Sequence, residues 1–283
     1  MRTIAAALAE AEGRLAAAGV ETPRVDAEWL LAGILDVGRN ALAVEPMRLL
    51  VPTTATRYAD AVRRRARREP LQQILGWEEF RGLRIQITPD VLVPRPETEI
   101  LVEWALERLP ARGTRRLRVA DVGTGSGCIA CALAVARDDL DVVAVDISSA
   151  AARVARDNAR RLGQPARMIV GDLLGSLAPK SLDGIVANPP YMTDAQAPTL
   201  APEVAFHEPR VALTGGSDGL DVLMRVADEA PHVLRSGGVI VMETGGEKHV
   251  DAVGARLRHH GFAEVAGRAD LAGITRFVAG RRP

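Results

Sequence analysis

Apolar residues recur at helical spacing through the first quarter of the chain. Ile4, Leu8 and Leu15, then Val25, Trp29, Leu30 and Ile34, and later Tyr58 and Val62 mark successive turns of amphipathic helices. Gly19, Pro23, Gly38, Pro46 and Pro52 punctuate them, so residues 3–69 read as a small helical bundle. Thr22-Pro23 is a helix start with Pro in the first turn, where its missing N–H costs nothing. Between Gly76 and Val93 the period shortens to two. Leu83-Arg84-Ile85-Gln86-Ile87 alternates, Val91-Leu92-Val93 follows, and Pro89-Asp90 lies between them as a turn, which predicts a hairpin joining two domains. Ile100, Leu101, Trp104, Ala105 and Leu106 then form one face of a helix over 98–109.

Beyond Arg115 the pattern alternates again, now between whole elements. β-branched runs at 117–122, 142–146, 167–170, 184–187 and 239–243 are separated by helical stretches at 129–136, 149–162 and 220–234. This order predicts an α/β fold with a mainly parallel sheet and helices on both faces. Ligands in such a sheet bind at the carboxyl ends of the strands, near the switch in strand order. The expected organisation is a helical domain over 1–75, a β-hairpin linker over 76–94 and a sheet domain over 95–283.

At 283 residues, 47% hydrophobic and 25% charged, the composition excludes a disordered or fibrous chain. Basic and acidic residues balance at 36 each, so no global field draws the protein to nucleic acid or anionic lipid. The run Arg63, Arg64, Arg65, Arg67 and Arg68 reads as a solvated helix face, the alternative being a patch for ribosomal RNA or an acidic partner. Two Cys cannot build a disulfide framework, so a cytoplasmic location is expected. Glu10, Glu12 and Arg14 interrupt the Ala-rich start before a signal-peptide core could form. The longest apolar run, Cys128–Ala136, falls far short of the roughly 18 residues of a membrane span, so no transmembrane segment is expected.

Chemistry-bearing residues sit where the strands end. Asp121-Val122-Gly123-Thr124-Gly125-Ser126-Gly127 follows the first strand of the sheet, with glycines that let the backbone turn sharply and approach a ligand. A dinucleotide site would want Gly at position 128, where Cys128 stands. With Asp146 ending the next strand as an acceptor for a ribose diol, the loop instead suits S-adenosylmethionine; a merely structural turn is the alternative. Asp172 and Leu173, after the third strand, could receive and cover an adenine, or Asp172 could cap a helix. Cys128 and Cys131 read as packing residues, and His207, His232, His249, His259 and His260 lack metal-ligand spacing, so no metal is expected.

Asn188-Pro189-Pro190-Tyr191 follows the fourth strand. An amide or exocyclic amine is a poor nucleophile because its lone pair is delocalised, so it must be oriented as well as brought near. The Asn188 side-chain oxygen and the Pro189 carbonyl can accept its two N–H bonds, leaving the lone pair aimed at a sulfonium methyl. Pro189 and Pro190 stiffen that carbonyl, and Tyr191 offers a face for a planar group. A Pro-rich turn with an aromatic plug is the bland alternative.

At this point the sequence resembles the release-factor glutamine N5-methyltransferases, class I enzymes that use S-adenosylmethionine. The likeness runs through Thr22-Pro23-Arg24-Val25-Asp26-Ala27-Glu28, Glu69-Pro70-Leu71-Gln72-Gln73-Ile74-Leu75-Gly76, Phe80-Arg81-Gly82-Leu83 and Val93-Pro94-Arg95-Pro96-Glu97-Thr98-Glu99. It continues in the Gly loop, the tetrapeptide and Phe206-His207-Glu208-Pro209, covering nearly the whole chain. The resemblance implies a seven-stranded Rossmann-like sheet, an N-terminal helical domain that grips a protein substrate, and a linking hairpin. It implies methylation of the glutamine in the Gly-Gly-Gln motif of class 1 peptide chain release factors. It assigns Gly123, Thr124, Gly125, Ser126, Gly127, Asp146, Asp172, Leu173, Asn188 and Thr98 to the cofactor. Asn188, Pro189, Pro190 and Tyr191 would hold the substrate amide, with Arg95 and Glu97 bordering the pocket. Some relatives carry an aromatic residue where this chain has Leu173, so less stacking on adenine is expected.

Direct in-line transfer is expected, with S-adenosylhomocysteine as product, no covalent intermediate and no dedicated base beside the tetrapeptide. A monomer without a specific nucleic-acid or membrane partner is expected. Two rivals share the tetrapeptide: a glutamine methyltransferase acting on a ribosomal protein, and a DNA adenine-N6 methyltransferase. Zero net charge and a short helical N-terminus argue against the second.

Overall fold

The chain folds as two units, described by a computed structural model at residues 2–111, 113–164 and 166–283. One unit holds the chain as far as Trp77 together with Leu200–His207; the other holds Glu78–Thr199 and Glu208–Pro283. The helical periodicity of the first is realised in α1 (Ile4–Ala17), α2 (Pro23–Leu35), α3 (Ala41–Val44), α4 (Pro52–Ala66) and α5 (Leu71–Leu75). Leu8, Leu15, Leu30, Leu31, Tyr58 and Val62 form its core. Thr3 caps α1, its hydroxyl accepting from Ala6 N at 3.2 Å. Thr22 makes no such cap before α2; its hydroxyl donates to Asp26 Oδ1 at 2.8 Å.

That bond belongs to a buried ionic cluster which corrects the reading of the arginine run. Arg65 is only 7% exposed. Its Nε donates to Asp26 Oδ2 at 2.6 Å and its Nη1 to Glu203 Oε1 at 2.7 Å. Arg68 grips the same Glu203 with Nε and Nη2, at 2.6 and 2.8 Å. Arg63 and Arg64 pair with Asp60 and Glu69 at the surface. The run is therefore split: part of it is solvated, and Arg65 is an internal tie between α2, α4 and the Leu200–His207 segment.

A hairpin of β1 (Trp77–Phe80) and β2 (Leu83–Gln86) opens the part of the chain that forms the second unit, which starts at Glu78. Its turn is Arg81-Gly82, with φ of 49° and 74°, the left-handed pair that a two-residue hairpin turn requires. The expected turn at Pro89-Asp90 exists but joins no strands, because the chain bends at Val91 and residues 91–93 belong to no strand. Phe80, Ile85, Ile87, Val91 and Val93 are instead drawn into the apolar core of the sheet. The elements that follow are α6 (Pro96–Arg108), β3 (Leu117–Val122), α7 (Cys128–Ala136), β4 (Leu140–Asp146), α8 (Ser149–Arg161), β5 (Arg167–Val170) and β6 (Leu182–Ala187). After α9 (Pro202–His207), in the first unit, come α10 (Asp221–Val233), β7 (Leu234–Glu243), α11 (Glu247–His259), β8 (Ala263–Ala269) and β9 (Thr275–Arg281).

The seven strands are ordered β5-β4-β3-β6-β7-β9-β8. All neighbours from β5 to β7 are parallel, and β9 runs antiparallel to both β7 and β8. Successive residues of each strand serve opposite faces. Val119, Val142, Val186 and Val241 pack under α6, α7 and α8, while Ala120, Ile185, Ile240 and Met242 pack under α10 and α11. Both faces being covered, the central strands are near-continuous apolar runs. The pattern alone missed β8 and β9. β8 is a mostly exposed edge of small and polar residues, so it carries no apolar period. No helix among the described residues is long and apolar enough to cross a membrane.

Arg65→Ala is expected to cost about 3–5 kcal/mol of unfolding free energy in urea titrations, because it leaves Asp26 buried without its guanidinium. Burial would raise the Glu203 carboxyl, but Arg68 and Arg65 outweigh it and hold the group at about 2. The folded pKa lies below the ordinary 4.5, so its stabilisation is present above pH 4.5 and is lost as pH falls toward 2. Glu203→Gln should flatten the stability curve in that window, measured by the same titrations.

Candidate active site

The strand order reverses between β3 and β6, and at that switch the carboxyl ends of β3, β4, β5, β6 and β7 share one edge. Register sets which residues meet. Val122 lies opposite Val145 and Ala187, and Ala187 lies opposite Met242. The next residues, Gly123, Asp146, Asn188 and Glu243, therefore stand side by side. Gly123, Gly125, Asp146, Asp172, Leu173, Asn188 and Pro190 line one cleft there, with Val91, Leu92 and Pro209.

The Gly loop is left-handed at Gly123, Gly125 and Gly127. At Gly123 and Gly125 a Cβ would meet nothing within 4 Å, so the backbone borders open space that a ligand can enter. Gly127 serves packing: a Cβ there would come within 2.9 Å of the Ala155 Cβ on α8. Asp146 accepts from Gly125 N with Oδ2 and from Ser148 N with Oδ1, both at 2.8 Å. Each oxygen keeps acceptor capacity, and the carboxylate is held rigidly at the cleft. A cradle of bare backbone beside a fixed carboxylate fits a nucleoside with a free ribose diol.

Thr124 and Ser126 point the other way. Thr124 is buried and its hydroxyl donates to Asp121 Oδ2 at 2.6 Å. Buried Ser126 presents its carbonyl to Asn158 Nδ2 at 2.8 Å, and Asn158 also exchanges two bonds with the backbone of Gln86. Asp121 is fully buried; Oδ2 also accepts from Ala130 N at 3.0 Å, while Oδ1 has no partner among the described residues. Burial pushes its carboxyl up to about 7, only partly offset by Thr124 and Ala130. Burial likewise raises the thiols of Cys128 and Cys131, the latter to about 12, so the helix start leaves them inert packing groups.

Asp172 is exposed and accepts from Arg225 Nη2 on α10 at 2.8 Å. It caps no helix; the chain makes tight turns, and Leu173 sits at φ 48° while Leu174 N donates to Glu229 Oε2 at 2.9 Å. Arg95, just ahead of α6, grips the buried Glu208 carboxylate with Nη2 at 2.7 and 2.8 Å. Burial raises the Glu208 carboxyl, with Arg95 opposing.

Asn188 donates from Nδ2 to Thr98 Oγ1 at 3.0 Å. Thr98, 2% exposed on α6, lies behind the tetrapeptide and outside the cleft lining; its hydroxyl donates to Glu243 Oε2 at 2.8 Å. Tyr191 donates from its hydroxyl to Glu243 Oε1 at 3.3 Å. Glu243 thus sets a carboxyl group beside the tetrapeptide, bonded to Thr98 and Tyr191 and outside the cleft lining. It is 1% exposed, and burial pushes it up to about 7 against Thr98, Tyr191 and Arg276. The sequence did carry a signal for it: a single acid ending the apolar run Val239-Ile240-Val241-Met242 of a central strand.

A sheet of this order with a Gly loop, an acid after the second parallel strand and an oriented side-chain amide defines a methyltransferase. The Methyltransferase small domain family matches residues 98–218. A methyltransferase from Pyrococcus furiosus shares the fold, with a TM-score of 0.55 at 19% identity over 78% of this chain and 98% of that one. The PrmC N-terminal domain family matches residues 6–76. A release factor glutamine methyltransferase of Geobacter sulfurreducens is 42% identical over 279 residues, 99% of this chain and 96% of the relative. Another, of Moorella thermoacetica, is 43% identical over 274 residues, 94% and 96% of the two chains. The chain belongs to the release factor glutamine methyltransferase family, and is an S-adenosylmethionine-dependent enzyme.

With the Asp121 carboxyl raised from 3.8 to about 7, its effect on stability is most favourable below pH 3.8 and worsens as pH rises to 7. Asp121→Asn should remove that slope. Urea unfolding of both proteins at intervals between pH 4 and pH 8 would check it.

Proposed function

We propose that the enzyme transfers the methyl group of S-adenosylmethionine to the side-chain N5 of the glutamine in the Gly-Gly-Gln motif of class 1 peptide chain release factors. The observation that carries this reading is the posture of Asn188. Its Nδ2 is committed to Thr98, which leaves Oδ1 as an acceptor at the cleft beside Pro190. Two acceptors, Asn188 Oδ1 and the Pro189 carbonyl, match the two N–H bonds of a primary amide. Gripping both lets the amide nitrogen pyramidalise with its lone pair toward the methyl donor. Tyr191, fixed through its hydroxyl, gives the planar amide a face to lie on.

When bound, the cofactor supplies an electrophilic sulfonium methyl, so no metal ion is required. Asp146 would hold the ribose diol, Gly123 and Gly125 would admit the chain of the cofactor against bare backbone, and Asp172 and Leu173 would flank the adenine. Thr124, Ser126 and Gly127 would act by shaping the loop, and Thr98 by holding Asn188. Residues 1–75 would grip the release factor, 76–94 would brace the sheet unit, and 95–283 would carry the chemistry. Ribosome-associated substrates place the enzyme in the cytoplasm, acting as a monomer without a specific nucleic-acid partner. Names of the relatives favour release factors over a ribosomal protein or DNA as the acceptor.

Incubating purified release factor with the enzyme and S-adenosylmethionine should add one methyl group to the Gly-Gly-Gln glutamine, read by mass spectrometry of the peptide. Asn188→Ala should lower kcat by about 100-fold with a smaller effect on KM, because the bond strengthens as the nitrogen pyramidalises. Full activity in that variant would remove the role given to Asn188.

A further inference from the structure

We infer that Glu243 is a positioning residue: as a group that only accepts hydrogen bonds, it sets their direction through Thr98 and so turns the Asn188 carboxamide oxygen, rather than its NH2, toward the cleft. The inference rests on the reading in which Asn188 holds the substrate amide. The two ends of a carboxamide are nearly the same size, and nothing in the shape of Asn188 prevents a flip. A flipped Asn188 would face the N–H bonds of a glutamine with its own N–H bonds. Orientation is therefore as important as position.

Thr98 alone cannot choose, since a hydroxyl donates or accepts with equal ease. Glu243 chooses for it. The carboxylate takes Thr98 Oγ1–H on Oε2 at 2.8 Å and Tyr191 O–H on Oε1 at 3.3 Å. The single proton of Thr98 is then spent, and its oxygen can only accept from Asn188, as it does from Nδ2 at 3.0 Å. The chain of bonds is enclosed, with Thr98 and Glu243 at 2% and 1% exposure, so bulk water does not compete for its members. Strand register brings its ends together, because Ala187 pairs with Met242 and the next residues are Asn188 and Glu243.

A buried carboxylate at the end of an apolar strand is costly, and an apolar residue would cost less there. Its retention is explained by the one property that an apolar or amide side chain lacks, an obligatory acceptor. Protonation reverses the logic: a proton on Oε2 would be donated to Thr98, which could then donate to Asn188 and release the flip. The charged groups facing Glu243 are Glu97 on α6 and Arg276 on β9, with Tyr191 from the tetrapeptide; Arg276 is itself paired with Asp270 at 2.7 Å. Burial leads these influences, so the acidic form forms near pH 7 and activity should fall below it.

Full-length enzyme should be assayed with release factor between pH 5.5 and pH 9, separating kcat from KM. The wild type should show an acidic limb near pH 7. Glu243→Gln should lower kcat about 10- to 100-fold, lose that limb, and leave KM and the cofactor Kd within about threefold. Thr98→Val should match the loss, and Thr98→Ser, which keeps the hydroxyl, should recover kcat to within about threefold of wild type. Circular dichroism melting and cofactor Kd separate these effects from misfolding. A wild-type kcat and unchanged pH limb in Glu243→Gln, or a Thr98→Ser variant as impaired as Thr98→Val, would overturn the inference. A wild type that leaves release factor unmethylated would sink the substrate reading instead. The relay is then still read directly, because the Asn188 side-chain NH2 signals in 15N spectra should shift with the titration of Glu243 and cease to do so in Glu243→Gln. Signals indifferent to pH in the wild type would count against it.

Discussion

Parallel pairing of β3 with β4 and β6, and of β6 with β7, is the constraint on which the site depends. Buried backbone N–H and C=O groups must be satisfied, and a ladder satisfies them only in a fixed register. That register ends the strands on one edge and sets Gly123, Asp146, Asn188 and Glu243 side by side. A shift of one residue would also turn the apolar sets of Val186 and Ile185 to the wrong helical layers. The same bonds that close the core thus aim the chemistry.

Three acids of this chain, Glu203, Asp121 and Glu243, differ in what stands next to them. Glu203 faces two guanidiniums, and its carboxyl is held at about 2. Asp121 and Glu243 have hydroxyls and an amide N–H as their hydrogen-bond donors, and burial drives both to about 7. Neutral donors are weaker compensation than a guanidinium, since they bring no full charge into the low-dielectric interior. The first arrangement ties helices together. The second holds a loop and a tetrapeptide in place at the expense of stability, which is characteristic of sites where orientation matters more than packing energy.

Much of the architecture was legible. The α/β alternation, the helical first unit, the Gly loop and the tetrapeptide were all found at strand ends, because periodicity reports which face of an element is buried. Where burial does not alternate, the pattern was silent: β8 is an exposed edge, and the segment around Val91 is buried without pairing. The hairpin turn lies at Arg81-Gly82 and not at Pro89-Asp90, although Pro89-Asp90 is the stronger composition signal. Arg65 reads as a surface charge in the sequence, since its partners lie 39 and 138 residues away and no local pattern announces them.

By itself, then, the order of residues determined which groups are available and which strand ends carry them: glycines for a bare backbone, Asp146 for a diol, Asn188 and Pro189 for an amide. Local chemistry is enough for that, because turn residues and strand termini are neighbours in sequence. Only the tertiary structure decided how those groups are held. Thr98, Asn188 and Glu243 are 90 and 145 residues apart along the chain, and their hydrogen bonds exist because α6 packs beside β7 and β7 pairs with β6. Direction in a hydrogen-bonded chain is a property of all its members together, so no single position in the sequence could reveal it.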